Sequence, residues 1–387
     1  MNKSKMHDEL KYITGFFSPI VFVDRGDSGA DYEIRQLTNK AGDKEMPDGN
    51  GWCYDANQEN QIVIDRQKSS KGQDTYFTFY KTGRENEFVI ANKETGLVME
   101  HVKEEHVGSG HGSWKGSEYT GNSGQIIRLH PESDKEFKLS VYDGNDKKFL
   151  DACKNKYDDK RKITSVWERG VEGNRQVLEY PVASREEKIT LPKLPGKSSL
   201  EPIPELPGFN DPLPENEDAK RAVIGSTLIP CILVNDSISL ADKIKKHPYY
   251  VLEYRQYWHL LWSDVFTAGS NKIKTEVTGI PSEAQEKMKD LIGASIRNDI
   301  GLRFTDKSEP FGKQIASDLN VKHSYDYELG ETTTITNVEN PNDFTVRHAR
   351  YARAHEFVLK RSDGQVVEEP WVAIDENDMY LKMYKKP

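Results

Sequence analysis

A pattern that returns every 50 residues limits what this chain can fold into. Tyr76-Phe77-Thr78-Phe79-Tyr80, Gln125-Ile126-Ile127-Arg128-Leu129 and Gln176-Val177-Leu178-Glu179-Tyr180 are short apolar runs, and Phe77, Ile127 and Val177 stand 50 residues apart. The first two runs lead through a polar turn to Glu87-Phe88 and Glu136-Phe137. These open FVIANKETGLVMEH and FKLSVYDGNDKKFLDAC, each of which reads as two strands joined by a turn. A period of this length marks repeated supersecondary units. Three β-only units with Gly, Asn and Asp turns predict a three-fold, barrel-like fold. Each unit also places one tryptophan before its closing strand: Trp52, Trp114 and Trp167.

Composition agrees with an all-β chain. Apolar residues make up 35% and charged residues 30% of 387 positions, too polar for the Val/Ile/Leu runs of a buried parallel sheet. The 18 tyrosines and 14 phenylalanines suit pleated surfaces with one wet face. A net charge of −9 argues against a general nucleic-acid partner. Cys53, Cys153 and Cys231 form no CxxC pair, so neither a zinc knuckle nor a disulfide framework is expected. The opening MNKSKMHDELKYITGFF lacks the apolar core of a secretory signal. No run approaches the ~18 apolar residues of a membrane helix, so any membrane role would need β-hairpins closed into a barrel.

The sequence divides at its prolines. Eight of 18 lie from Pro181 to Pro214, a composition that favours extended polyproline II. The expected organisation is a β-trefoil over 1–185, a linker over 186–218 and an antiparallel β domain over 219–387. A long loop within one domain is the other reading of the proline-rich stretch. Past it, period-two alternation marks strands: Ile300-Leu302-Phe304, then Leu319-Val321-His323-Tyr325-Tyr327-Leu329, Thr332 to Thr336, and Phe357 to Leu359. Pro281 and Ser282, with Gln285 three residues on, predict a short helix over 283–292 that stops at Gly293.

The repeat resembles the ricin-B-type β-trefoil, whose units close on Gln-x-Trp. Gln125 and Gln176 keep the glutamine, Ile127 and Leu178 replace the tryptophan, and Tyr76 stands where the first repeat would have its glutamine. A second resemblance is more specific. Leu228-Ile229-Pro230-Cys231-Ile232-Leu233-Val234-Asn235-Asp236, Pro248-Tyr249-Tyr250, Tyr254, Gln256-Tyr257-Trp258, Gly301-Leu302-Arg303-Phe304 and Glu339-Asn340-Pro341 resemble the binary insecticidal toxins of spore-forming bacilli. By chemistry alone, residues 225–265 read only as strand, turn, strand. The resemblance implies an N-terminal lectin-like trefoil joined to an elongated antiparallel aerolysin-like sheet domain, with no enzymatic activity. It implies binding to an insect midgut cell membrane through a receptor or glycan, self-oligomerisation, and insertion of one hairpin per subunit, with a second toxin protein as partner. It also implies synthesis in the bacterial cytoplasm, as an inclusion released to act on host cells.

A barrel strand needs ~9–11 residues that alternate between lipid and lumen. The candidate hairpin is 294–306 returning as 315–329, with Ile296, Ile300, Leu302, Phe304, Leu319, Val321 and Tyr325 outward; Asn298 interrupts the first row. A half-buried hairpin of the soluble sheet is the other reading. Trp52, Trp114 and Trp167 are candidates to stack on sugar rings, or else to fill the trefoil core. His101, His106 and His111 recur every five residues, a spacing that fits neither a helix face nor a strand face, so no metal site is expected. Arg25-Gly26-Asp27 and Asp375-Glu376-Asn377-Asp378 read as turns. No nucleophile elbow, P-loop, HExxH or GxGxxG occurs, so neither a catalytic residue nor a cofactor is expected. Two other functions remain open: a sugar-binding protein without pore activity, and a glycan-active enzyme with paired carboxylates.

Overall fold

The computed structural model describes residues 205–284 and 331–385 without a break. Outside them it describes the strands named below, their adjoining turns, and residues 192–195, 203 and 319. The chain forms two compact units. The first holds residues 1–191, 230–233 and 237–249, and the second 192–229, 234–236 and 250–387.

Among the described residues, the first unit contains β1 (Tyr32–Glu33), β2 (Arg35–Gln36), β3 (Gly51–Asp55), β4 (Gln61–Asp65), β5 (Tyr76–Lys81), β6 (Glu87–Asn92), β7 (Val98–Val102), β8 (Ser113–Ser117), β9 (Ile127–Pro131), β10 (Glu136–Asp143), β11 (Asp146–Lys154), β12 (Arg161–Trp167) and β13 (Leu178–Glu179). Their pairing is closed. β1 pairs β5, β5 pairs β6, β6 pairs β9, β9 pairs β10, β10 pairs β13, and β13 returns to β2, which follows β1 after one residue. That circuit is a six-strand barrel. The hairpins β3–β4, β7–β8 and β11–β12 meet one another through β4–β8, β4–β12 and β8–β12 and cap one end. A barrel of six with a triangle of three hairpins is a β-trefoil, and β5, β9 and β13 are the closing strands that the 50-residue spacing picks out. Phe79, Phe88, Ile90, Met99, Ile127, Leu129 and Leu139 are buried in it.

Residues 230–233 and 237–249 also belong to the first unit. Ser239 caps helix α1 (Leu240–Lys246) by accepting the amide of Asp242. Leu240 lies where a Cβ on Gly96 would come within 2.4 Å of its Cγ, so only glycine, here at φ +74°, admits the helix. The Tyr80 hydroxyl meets Cys231 Sγ at 3.5 Å and the Pro248 carbonyl at 3.4 Å, and its ring packs edge-on against Tyr249. Burial pushes the Cys231 thiol up to about 11, so it is a packing group and not a nucleophile.

The second unit is one six-stranded sheet. Its strands are β14 (Ala222–Pro230), β15 (Tyr249–Phe266), β16 (Asn271–Gly279), β17 (Glu331–Glu339), β18 (Val346–Lys360) and β19 (Trp371–Lys385), in the order β14-β15-β18-β19-β16-β17. β15 has 18 residues, roughly 60 Å of extended chain. Length on this scale needs ties along its course. On one face Lys360, Glu253, Arg255, Glu356 and Arg221 form a ladder of alternating charge, with ion pairs of 2.5–3.3 Å around two buried carboxylates. Burial pushes Glu253 up, but bonds from Lys360 and Arg255 outweigh it and hold the group below the usual value. On the other face Leu206 and Leu213, from the proline-rich stretch, pack with Trp258 and Leu260 on Ala349, Tyr351 and Tyr384. Asn216 of the same stretch accepts from the Leu260 amide at 2.7 Å and donates to its carbonyl at 3.1 Å, beside the β-bulge between Leu260 and Trp262.

Candidate functional site

Two features of this scaffold bear on function: the trefoil repeats and the ribbon formed by β16 and β17. In the second repeat the Gln125 amide is wholly buried. Its Oε1 accepts from the Thr120 and Gly121 amides at 2.8 and 3.0 Å. Its Nε2 donates to the Glu118 carbonyl at 2.7 Å, Ser117 Oγ at 3.1 Å and Glu100 Oε2 at 3.2 Å. Gln125 therefore ties loop 117–125 to β7. Trp52 lies on β3 opposite Ile64, Trp114 on β8 opposite His101, and Trp167 on β12 opposite Phe149. All three are in the cap hairpins, but Trp52 is on a first hairpin strand and the other two are on second strands, so their positions are not three-fold equivalent. His101 is buried on β7, whereas His106, His111 and Arg25-Gly26-Asp27 lie outside the described residues. Among the described residues no group of three or more His, Cys, Asp or Glu converges as a metal site. Residues 376–378 bulge from β19, where Ala352 pairs Met379 and Arg353 pairs Asp375. Asp378 is committed to Arg353 at 2.6 Å, and Asp375 accepts the Asn377 amide at 2.9 Å.

The ribbon has the reverse of ordinary polarity. β16 and β17 pair without a break from Asn271↔Glu339 to Gly279↔Glu331. The row facing the rest of the sheet is polar: Lys272, Lys274, Glu276 and Thr278, opposite Val338, Thr336, Thr334 and Thr332. Lys272 meets Asp264 at 3.0 Å and Lys274 pairs with the same carboxylate. These bonds, Lys274 first, hold Asp264 down to about 2. Buried Glu276 accepts the Trp262 indole N–H at 3.0 Å and pairs with Arg350 at 3.3 Å. The opposite row meets solvent with Ile273 73%, Ile335 72% and Val277 43% exposed. A soluble sheet normally turns its apolar row inward. Here apolar anchorage is limited to Val338, which packs with Phe266, Val346 and Trp262.

Residues 280–330 leave and return at the Gly279↔Glu331 pair, so their two ends are held about one strand spacing apart. Residues 282–284 are helical, and the rest of the helix expected over 283–292 lies outside the described residues. Ile296, Ile300, Leu302, Phe304, Val321 and Tyr325 lie outside them as well. Leu319 is described and is fully buried, its backbone so near β14 that a Cβ on Gly225 would come within 2.5 Å of its carbonyl carbon. Lys-Ile-Lys-Thr-Glu-Val-Thr alternates at period two, but its two apolar residues, with Ile335 among the threonines of β17, make a faint signal.

Binary larvicide subunit BinA of Lysinibacillus sphaericus is 32% identical to this chain over 322 residues, covering 81% of the chain and 82% of BinA. The chain belongs to the binary larvicide toxin family. BinB of the same organism is 41% identical over 187 residues, 48% of the chain and 42% of BinB. The crystal structure of Cry35Ab1, an insecticidal crystal protein of Bacillus thuringiensis, superposes with a TM-score of 0.71 at 17% identity, covering 92% of this chain and 90% of that one. No protein-family profile matches. The superposition shows that the trefoil and the long antiparallel sheet occur together in another insecticidal protein. Among the described residues no helix is long and apolar enough to cross a membrane, which leaves β-barrel insertion untouched.

Proposed function

We propose that this chain is an insecticidal toxin subunit. Its trefoil binds the surface of larval gut cells, several copies assemble, and each contributes a β-hairpin to a shared membrane barrel. The observation that carries this reading is the inside-out ribbon. A strand pair with Lys, Glu and Thr on one row and Ile, Val and Thr on the other has the alternation a barrel wall needs. It also holds the two ends of residues 280–330 about one strand spacing apart. Closure into a barrel is required, because an open edge in lipid leaves backbone groups unpaired. BinA and BinB are named as subunits of a binary larvicide, which supports a second protein as partner here. The chemistry assigned to the chain is binding and insertion, with no catalytic step.

The test is potassium efflux from larval midgut cells given the full chain, with and without a partner protein from the same source. Efflux in discrete single-channel steps supports the reading. Surface binding without efflux in either condition overturns the pore and leaves a sugar-binding protein, a role the trefoil could fill alone.

A further inference from the structure

The sheet of the second unit treats its two edges differently. The β14 edge is covered: Ser226 Oγ donates to the Pro195 carbonyl at 3.1 Å, Leu319 lies on Gly225, and Pro230 ends the strand. Among the described residues the β17 edge has no such cover. Among the described residues β17 pairs only with β16, through nine consecutive partners and no bulge. Its central residues, Thr332-Thr333-Thr334-Ile335-Thr336-Asn337-Val338, contain no charge, proline or glycine, and all but Asn337 are β-branched. Natural edge strands are protected by lysines, prolines, bulges or short length. β17 has none of these, and an uncharged β-branched segment of this kind pairs readily with another strand.

We infer that two copies of this chain pair through the free edges of β17, so that two six-stranded sheets continue as one. Among the described residues the outer edge of β17 is unpaired along its whole length, whereas the far edge of β16, bonded to β19 only at Gly279, carries Lys272 and Lys274; like meets like most simply about a two-fold axis with the strands antiparallel. The terminal carboxylates shape the register. Centring the axis on Ile335 would set Glu331 against Glu339 of the second copy at both ends. Displacing it by one residue sets a glutamate against Asn337 or Thr333 and removes the clash. A strand pair alone is a small interface, so the dimer is weak and reversible, with dissociation on the order of micromolar. The inference does not rest on the pore: it concerns the chain in solution, before any membrane.

Sedimentation velocity on the full chain, across about a hundredfold concentration range, tests it. The expected result is a reversible monomer–dimer equilibrium. Ile335→Lys, which places a cation on the edge, should abolish the dimer. Ile273→Lys, equally exposed on the same face but on the neighbouring strand β16, should leave it intact. Both side chains are more than two-thirds exposed, so both variants should keep the wild-type circular dichroism. A wild-type chain that stays monomeric throughout overturns the inference. So does equal loss in both variants, since faces rather than edges would then meet. A chain that pairs only when the partner toxin protein is added would assign the edge to that protein and overturn it too.

Discussion

Asp236 accepts Nε and Nη2 of Arg361 at 2.8 and 2.9 Å and the Tyr250 hydroxyl at 2.9 Å, all within the second unit. Asp236 is buried, and Arg361 keeps only 18% of its side-chain exposure. Removing the carboxylate alone strands a guanidinium largely out of water, so Asp236→Ala should lose about 2–4 kcal/mol in urea unfolding. The double variant Asp236→Ala with Arg361→Met should recover part of that. A coupling energy under about 0.5 kcal/mol would show the pair to be worth nothing beyond its separate contacts. Gln125 is the corresponding residue of the trefoil. Gln125→Ala leaves two loop amides and the Glu118 carbonyl without their partner and should lose about 2–3 kcal/mol. The direct readout is faster hydrogen exchange at the Thr120 and Gly121 amides; unchanged protection there would mean that another group holds the loop.

The ribbon shows how an element can be attached by charge more than by apolar burial. Asp264 is about one-third exposed, so its two lysine contacts together stabilise the attachment by about 1 kcal/mol after solvent screening. Its folded pKa, about 2, lies below the ordinary 3.8. The contribution is therefore complete above 3.8 and fades as pH falls towards 2. Asp264→Asn should remove it at neutral pH, loosening β16 before β15, as hydrogen exchange would show; equal protection in both proteins would contradict the attachment. Legibility in the sequence followed local pattern strength. The closing strands β5, β9 and β13 were readable because each is a compact apolar run at fixed spacing. The barrel's closure through β2 was not, because it joins segments over a hundred residues apart. Helix α1 leaves no periodic signal in residues 225–265, though Ser239 and Asp242 carry a cap pattern. Seven residues are too few for periodicity to speak, and Leu240 reaches its seat only because Gly96 has no side chain. Glu253 and Glu356 look like exposed alternating charge in sequence, yet they are buried, since their cationic partners Lys360 and Arg221 arrive from β18 and from the residue before β14. The expected inserting residues lie outside the described residues, apart from buried Leu319, while the inside-out row Ile273, Val277 and Ile335 is hidden among threonines.

Across the second unit, three histidines are held as neutral groups. Burial lowers the pKa of His259, helped by the Arg221 charge, and burial lowers that of His348. Burial also lowers His355, although Asp375 pulls it upward. A base whose folded pKa lies below its unfolded 6.5 binds fewer protons when folded. Its stabilising effect is full above pH 6.5 and declines as the unfolded chain takes up protons below it, by up to about 1.4 kcal/mol per pH unit for each histidine. Few carboxylates have begun to titrate between pH 7.5 and 5.5, so histidines should dominate the slope there. Urea midpoints followed by tryptophan fluorescence should fall steadily over that range. His348 offers the cleanest control. Its ring lies edge-on to Phe266 at 4.9 Å, and neither ring nitrogen has a hydrogen-bond partner among the described residues. His348→Phe removes two unsatisfied polar atoms along with the titrating group. It should therefore raise stability by about 1 kcal/mol at pH 7.5, and by more at pH 5.5, flattening the profile. A variant with the wild-type slope would show that His348 takes up its proton without loss of structure, and would place the acid sensitivity on His259 and His355.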